Sequence, residues 1–530
     1  MIAAILGSAM VFLDGTIVNV ALQAIGAELP GTVVSTLEGQ TYVVSGYLAV
    51  LAALLVLAGA LADYYGRRRI FLLGLVGFGA TSVLCGLAPS LELLVLARLL
   101  QGAAGALLVP GSLAILTATF EGPERARAFG IWASATAAMT LLGPIAGGLL
   151  VDTASWRLAF LVNLPIAAAA GWATWRHMDE TRAEGASGRF DWLGAAVAVV
   201  AVGGLAFGAI RGQDRAWQDT IAWLALGIGA IATIAFPALM ARQRDPLIPL
   251  ALFRRRAFAT INLSTLLIYG ALYTTFTVQA LFLQGVLGYT ATAAGAVGLP
   301  VTIFLTLFSA RIGTLAGRIG ARPFLVLGPA LMAAGMFWLA RIPADSAPWL
   351  FAPGDAGTYA PPLSVLVDVV PMTLLFGAGI SMVVAPLTAT LMSSVPVANA
   401  GVASAINNAV SRIGQPLLVA LVFIVVTGSF YTSLATRVPG LDASDPALRA
   451  QVQPLNQPKP GTPDGVAAAA TVASTEAFHL AAIACGLLLL AGAAINAVGL
   501  RSEPESRAAG TPAGGTAPAD GAAPAEAASA

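Results

Sequence analysis

The chain has 530 residues, of which 58% are hydrophobic and only 10% are charged, and its mean hydropathy is +0.84. Because soluble domains carry roughly 25% charged residues, this composition excludes an ordinary soluble protein and indicates an integral membrane protein with many spans. The formal net charge of +1 gives no electrostatic basis for a nucleic-acid partner.

The residue types that metal and redox sites need are scarce. The two cysteines, Cys85 and Cys485, both lie inside apolar runs, and the two histidines are His177 and His479. We therefore expect neither a disulfide framework nor a metal site. The chain has no Gly-Lys-Ser/Thr phosphate loop and no evident Ser/His/Asp set, so we expect a protein that is not an enzyme, uses no cofactor and is not driven by ATP.

Fourteen apolar runs have about the ~20 residues that a membrane-spanning helix needs. They cover residues 2–22, 41–61, 70–88, 93–119, 128–151, 158–175, 192–210, 221–240, 257–283, 292–310, 323–340, 369–392, 400–427 and 477–500. Basic residues concentrate in the segments on the side of the turn at 67–69, and the positive-inside rule places that side in the cytoplasm. Since the number of spans is even, we expect both termini to be cytoplasmic.

Three charged residues lie well inside these spans: Asp14, Arg98 and Arg412. Ionisable side chains are costly in a bilayer, so each is a candidate functional residue. Asp14 lies about 18 Å along a rising helix, and Arg98 lies about 22 Å from the inner face on a descending one. At these similar depths the two charges can form a pair or be coupled through a shared cavity. The pair can serve proton coupling, or it can be a static link between helices 1 and 4.

The turn between the second and third predicted helices contains Gly59, Asp63, Gly66, Arg67 and Arg68. Gly59 permits close backbone approach, and Gly66 can adopt the positive φ that a chain reversal needs. The spacing resembles the Gly-x-Leu-x-Asp-x-x-Gly-Arg signature between helices 2 and 3 of the major facilitator superfamily. The resemblance implies a gating role for these residues, and the alternative is a basic turn after any membrane helix.

The fourth predicted helix contains Arg98, Gln101 and Gly102 in the spacing Arg-x-x-Gln-Gly. This pattern resembles the helix 4 motif of the same superfamily. The resemblance implies that Arg98 takes part in proton coupling.

The fifth predicted helix carries Gly143, Pro144, Gly147 and Gly148. This set resembles the Gly-Pro-x-x-Gly-Gly motif associated with antiporters. Pro144 removes a backbone hydrogen bond and can kink the helix, while Gly143 and Gly147 permit close helix contact. The motif favours export over import, and the alternative is an ordinary packing motif.

An internal repeat predicts how the helices are grouped. Residues 313–322 repeat the frame of residues 59–68 eight predicted helices later, and such repeats indicate two similar halves. We therefore predict three units: an N-terminal six-helix bundle in 1–176, two additional helices in 190–241, and a C-terminal six-helix bundle in 257–500. We expect a long external loop at 428–475 and a disordered cytoplasmic tail at 501–530.

The segment 155–165 looks like the entry to helix 6 in the 14-span drug:proton antiporter family, and the resemblance covers about residues 10–427. It implies an all-α membrane protein with the major facilitator fold, in which two six-helix bundles flank two extra central helices. It also implies a monomer in the cytoplasmic (inner) membrane of a bacterium. One departure is Tyr64, which stands where the family usually has Arg.

Polar and aromatic residues inside the spans are candidates for a substrate cavity. Three rings on the ninth predicted helix share one face and could bind flat or cationic substrates, or pack against the core or lipid. The candidates are Asn19, Gln101, Tyr269, Tyr273, Phe276, Asn407, Asn408 and Arg412.

The resulting prediction is proton-coupled efflux of small amphipathic or drug-like molecules by alternating access, as in multidrug and antibiotic resistance transporters. The expected partners are a small-molecule substrate, protons and the lipid bilayer. The alternatives are an importer or facilitator of the same fold, a lipid or metabolite exporter, and a non-transporting membrane scaffold or sensor. Asp14 and Arg98 argue against the last, because a scaffold needs no charge inside the membrane.

Overall fold

The computed structural model describes residues 1–29, 36–182, 190–214, 219–243, 246–352, 355–443, 445–459 and 461–500, and the predicted tail at 501–530 lies outside them. Within these ranges the chain is helical and contains no strand. The α-helices are α1 (Ile2–Glu28), α2 (Thr36–Tyr65), α3 (Arg67–Gly86), α4 (Leu91–Thr119), α5 (Gly122–Thr153), α6 (Leu158–Leu161), α7 (Asn163–His177), α8 (Trp192–Asp214), α9 (Thr220–Arg242), α10 (Ala251–Arg254), α11 (Arg256–Gly285), α12 (Ala291–Ala296), α13 (Leu299–Ile319), α14 (Arg322–Leu339), α15 (Leu363–Asp368), α16 (Val370–Ser393), α17 (Ala400–Arg437), α18 (Pro446–Gln451) and α19 (Asp464–Gly499). Short 3₁₀ helices cover Ala356–Thr358 and Val397–Asn399.

Twelve helices in the described part of the chain are long and apolar enough to cross a membrane. They coincide with twelve of the predicted spans. The other two predicted spans, 2–22 and 128–151, coincide with α1 and α5, and α1 contributes a shorter apolar helix, Ile2–Val18. The all-helical membrane fold is confirmed, whereas the count of fourteen spans is not fully confirmed.

The long helices pack as two sets. In the first, α1 packs on α5, α2 on α4, and α3 on α4 and α7. In the second, α13 and α14 pack on α16, α14 also packs on α19, and α11 packs on α17 and α19. The sets meet along two lines, α2 against α17 and α5 against α13. Glycine makes both approaches possible: a Cβ at Gly59 would overlap the carbonyl oxygen of Gly401, and one at Gly130 would lie 2.7 Å from the Cα of Ala310.

The helices α8 and α9 form a separate pair beside one of these lines. They pack closely where Gly204 approaches Gly229, and α8 also contacts both α2 and α17. Asp191, just before α8, accepts hydrogen bonds from the backbone N–H groups of Gly194 (2.7 Å) and Leu247 (3.1 Å). One carboxylate thus joins the start of α8 to the segment that follows α9.

The segment 428–475, which the sequence predicts as a long external loop, is helical over much of its length. The helices α17 and α19, of 38 and 36 residues, are about 55 Å long at 1.5 Å per residue, well above the ~30 Å of a bilayer core. Their extensions are joined by Glu476, which pairs with Arg437 at 2.5 Å and accepts from the hydroxyl of Ser433 at 2.5 Å. The extensions also bury apolar side chains, among them Phe430, Leu434 and Ala473, and this packing stabilises helix where hydropathy alone predicts a loop.

Candidate functional site

A buried polar cluster forms around Asp14 in the first set of helices. Asp14 forms an ion pair with Arg98, and the distance between Asp14 Oδ2 and Arg98 Nη1 is 2.6 Å. Both side chains are 0% exposed. Gln101 Nε2 and Asn163 Nδ2 both donate to Asp14 Oδ1, at 3.1 and 2.9 Å. Ser82 on α3 accepts from both of these amides. Side chains from four helices, α1, α3, α4 and α7, therefore form one hydrogen-bonded cluster around this carboxylate.

Arg98 is held in position by contacts other than its partner carboxylate. Its Nε donates to the carbonyl oxygen of Val43 (2.9 Å) and its Nη1 to Gln101 Oε1 (2.7 Å). The guanidinium carbon lies 3.9 Å from the ring centroid of Tyr47, a cation–π distance. Nη2 of Arg98 and Oδ1 of Asn163 have no hydrogen-bond partner among the described residues.

The predicted gating residues lie where α2 meets α17. Arg67 contacts Asp63 Oδ1 through Nη2 (2.8 Å) and Nε (3.1 Å), and its Nη2 also donates to the carbonyl oxygen of Val397 (2.5 Å). The other oxygen of Asp63 accepts from the backbone N–H of Val402 at 3.0 Å. A carboxylate of the first set thus caps the N-terminus of a helix of the second, where the helix dipole favours an anion. In this conformation the two sets are joined at this end.

The turn between α2 and α3 has the geometry that its glycine predicts. Gly66 has a φ of 114°, and a Cβ there would overlap the carboxylate of Glu180. That carboxylate accepts from the backbone N–H groups of Arg68 (3.1 Å) and Arg69 (3.3 Å) and so caps the start of α3. Arg68 Nη2 in turn donates to the carbonyl oxygen of Trp175 at 2.6 Å. Glu180 escaped the sequence analysis, because its contact is with a turn more than 100 residues earlier.

The glycines of the predicted antiporter motif bring α5 directly against the first helix. A Cβ at Gly143 would overlap the hydroxyl of Thr16, and one at Gly147 would lie 2.8 Å from Ile17 Cγ1. These contacts lie two and three residues after Asp14. The side chain of Pro144 and the space around Gly148 lie outside the described part of the chain.

The predicted cavity residues outside the cluster occur in several environments. The Tyr269 and Tyr273 rings lie 6.5 Å apart, while Phe276 makes an edge contact with Phe376 at 5.9 Å. Arg412 is half-buried. The side chain of Asn19 is not among those described.

The two predicted amides of α17 differ in their partners. Asn407 donates to Thr265 Oγ1 on α11 at 2.9 Å, which joins two helices. Asn408 donates to the carbonyl oxygen of Ser404 on its own helix, also at 2.9 Å. The role of both as cavity residues stays a prediction.

Sequence reasoning missed two members of the cluster, Ser82 on α3 and Asn163 on α7. Asn163 lies in the segment 155–165, which entered the sequence analysis only through its resemblance to the family's helix 6. The available signal was an amide inside an apolar span, since a buried amide needs partners.

Comparison with known proteins shows that residues 4–419 match the sequence profile described as Major Facilitator Superfamily. The chain is 35% identical to the Multidrug resistance protein Stp of Mycobacterium tuberculosis (strain CDC 1551 / Oshkosh), over 79% of this chain and 73% of that protein. It is 31% identical to the Puromycin resistance protein pur8 of Streptomyces alboniger, over 80% and 81% of the two chains. It is 32% identical to the Tetracenomycin C resistance and export protein of Streptomyces glaucescens, over 79% and 73%.

Solved structures show the same fold at low sequence identity. The human organic anion transporter MFSD10 superposes with a TM-score of 0.56 at 14% identity, covering 93% of this chain and 98% of that one. The proton:xylose symporter XylE gives a TM-score of 0.55 at 15% identity, covering 92% and 93%.

Proposed function

Because this chain belongs to the major facilitator superfamily, we propose that it exports small amphipathic, drug-like molecules across the cytoplasmic membrane in exchange for protons. It is a multi-pass membrane transporter rather than an enzyme. The relatives named for multidrug, puromycin and tetracenomycin resistance support the export direction and the substrate class.

The observation that carries the proposal is the environment of Asp14. Its carboxylate is fully buried and shares a cluster with one guanidinium and two amides. A buried ion pair is weak support for stability, since desolvation offsets much of the attraction. A membrane protein that retains one therefore has a reason other than stability, and reversible protonation of the carboxylate is the use that a transporter has for it.

The proposed cycle follows from what protonation does to this pair. When Asp14 is charged, its negative charge balances the positive charge of Arg98, and the ion pair and both amide hydrogen bonds are formed. Protonation from the outside removes the charge, so the guanidinium loses its counter-ion and the balance of contacts between α1 and α4 changes. Gln101 and Asn163 act as positioning residues, because each donates an N–H to the charged form. Release of the proton to the cytoplasm restores the pair.

The contact between Asp63 and α17 is the proposed gate. It joins the two sets of helices at the end that the positive-inside rule assigns to the cytoplasm. With this end joined, access from the cytoplasm requires that the contact between Asp63 and the start of α17 break. Alternating access then consists of opening and re-forming this contact while the cluster at Asp14 changes its protonation state.

The test is transport driven by an imposed pH gradient in oriented membrane vesicles. The probes are puromycin and a cationic dye, and the variants are Asp14→Asn and the control Asp219→Asn, which removes a half-buried carboxylate at the start of α9, outside the cluster. We expect wild type and the control to move the probes outward and Asp14→Asn to lose at least about 90% of gradient-driven transport while remaining inserted. Full efflux by Asp14→Asn would sink the proton assignment, and net uptake by wild type would favour an importer of the same fold.

A further inference from the structure

We propose that the groove between the start of α11 and the end of α19 binds an anionic phospholipid. The groove has a volume of about 480 Å³ and is lined by α11 residues from Ala259 to Leu263 and α19 residues from Ala494 to Gly499. Leu263 and Val498 are 52% and 73% exposed. A face this apolar and this exposed on a membrane-spanning pair meets lipid chains.

Two guanidinium groups from different helices are fixed at one end of this groove. Arg256 Nη2 donates to the carbonyl oxygen of Val498 at 2.5 Å, and Arg322 Nη2 donates to that of Ala497 at 2.6 Å. Both arginines thereby satisfy carbonyls in the last turn of α19, which lack partners within the helix. These bonds hold the charges beside the groove.

The charge around this rim is of one sign. Arg254 and Arg255 are exposed next to Arg256. The described segments 246–258, 321–325 and 494–500, which surround the two arginines, contain no acidic side chain. A phosphate accepts bidentate hydrogen bonds from arginine, and basic pockets between membrane helices on the cytoplasmic side bind lipid head groups. Charge complementarity therefore selects a lipid with net negative charge.

The groove lies at the membrane depth that such a lipid requires. Arg255 donates from Nη1 to the carbonyl oxygen of Ser394 at 3.2 Å, and Ser394 precedes by three residues Val397, which contacts Arg67 at the gate. The rim is therefore at the same end of the molecule as the basic turn, where the positive-inside rule places the inner leaflet. From Arg256 to Leu263 the helix rises about 10 Å, which suits the upper part of an acyl chain below its head group.

The experiment measures lipid binding to the delipidated full-length protein by native mass spectrometry. Phosphatidylglycerol and phosphatidylcholine with the same acyl chains are titrated separately. We expect wild type to bind phosphatidylglycerol more tightly, with about fivefold weaker binding for each arginine removed in Arg256→Gln and Arg322→Gln. The matched control is Arg318→Gln, a cytoplasmic-side arginine at the end of α13, which should bind like wild type.

Two further variants separate charge from structure. Ala494→Phe fills the groove while leaving both arginines in place, and it should lose phosphatidylglycerol binding. The double variant Arg256→Lys with Arg322→Lys should retain most of it, even if the glutamine variants fail to fold. Any of three results would overturn the proposal: equal affinity for both lipids, unchanged binding by Ala494→Phe, or a loss in Arg318→Gln as large as in the glutamine variants. A dimer that Ala494→Phe dissolves would assign the groove to a second copy instead.

Discussion

The two lines along which the halves meet use the same repeated frame but close in different ways. Residues 59–68 and 313–322 correspond position by position. In both, a glycine ends the turn with a positive φ, 114° at Gly66 and 92° at Gly320. In both, the tenth residue, Arg68 or Arg322, donates to a carbonyl near the end of a helix, α7 in one half and α19 in the other. The architecture of the turn is therefore shared.

The difference lies in the charged pair. Where the first frame has Asp63 and Arg67, the second has Gly317 and Ala321. At Gly317 a Cβ would lie 3.1 Å from the Cβ of Ala126, so the contact between α13 and α5 consists of small residues. The contact between α2 and α17 adds a buried ion pair on a helix terminus. We infer that the first line is the one that charge can open, whereas the second, in the part of it that the structure describes, is held by close packing of small residues.

The largest effect is expected from removing the charge at the first line. Asp63→Asn leaves Arg67 buried without its counter-ion, which costs about 3 kcal/mol, so the joined conformation should become about a hundredfold less populated relative to the open one. Pulsed electron spin resonance between labels at the exposed positions Arg69 and Ser393 measures the separation. Asp219→Asn, with the same labels, should keep the short distance. An unchanged distance distribution in Asp63→Asn would contradict the proposal that the charge of Asp63 holds the gate in its joined conformation.

A smaller effect separates the two glycines. Gly59→Ala places a methyl group against the carbonyl oxygen of Gly401 and 2.7 Å from the Cβ of Ala405, and overpacking of this kind costs about 1–3 kcal/mol. Gly317→Ala meets one methyl group at 3.1 Å and should cost below about 0.5 kcal/mol. Thermal unfolding of both variants in the same detergent makes the comparison. Equal losses at the two sites would show that the lines are packed alike.

The smallest effect is expected from an exposed ion pair, whose contribution to stability can be compared with that of the buried pair of Asp63 and Arg67. Glu28 pairs with Arg157 at the other end of α1, where their side chains are 52% and 30% exposed. Hydrogen bonds from Arg157 and then Trp156 lower the pKa of Glu28 from its ordinary value of 4.5. Its contribution is therefore complete above that ordinary value and is lost as the pH falls through the lowered pKa.

Because this pair is exposed, Glu28→Gln should change stability by no more than about 0.5 kcal/mol at neutral pH. Unfolding temperatures of wild type and variant, measured from pH 7 down to pH 3, should converge at the acid end. A gap that widens toward acid would have the wrong sign for a carboxylate with a lowered pKa.

Much of the candidate site could be predicted because its signals are local. Asp14 and Arg98 stand out as charges inside apolar runs, and the rise per residue of a helix gives their depths in the membrane. The ion pair at 2.6 Å could therefore be predicted from the sequence. The turn at Gly66 was equally accessible, since a positive φ there follows from chain reversal between two helices. These features depend on residues that are close in the chain or on distance along a single helix.

The remaining members of the site depend on contacts between distant segments. Asn163 reaches Asp14 across 149 residues, and Val402 donates to Asp63 across 339. The local sequence around each donor does not predict which residue accepts its hydrogen bond. The extensions of α17 and α19 also escaped prediction, because their helix outside the apolar run is stabilised by packing between two helices that are distant in the chain.

The order of the amino acids is enough to establish a bundle of membrane helices, because an apolar run in a bilayer must satisfy its backbone hydrogen bonds internally. It also determined the frame of the two turns and the two charges buried in the first half. Three features became visible only in the packed helices: which helix termini receive the charged groups, which amides surround Asp14, and where two arginines meet the groove of α11 and α19. Those arrangements follow from how whole helices pack, and packing is a property of surfaces that the order of residues along one helix does not specify.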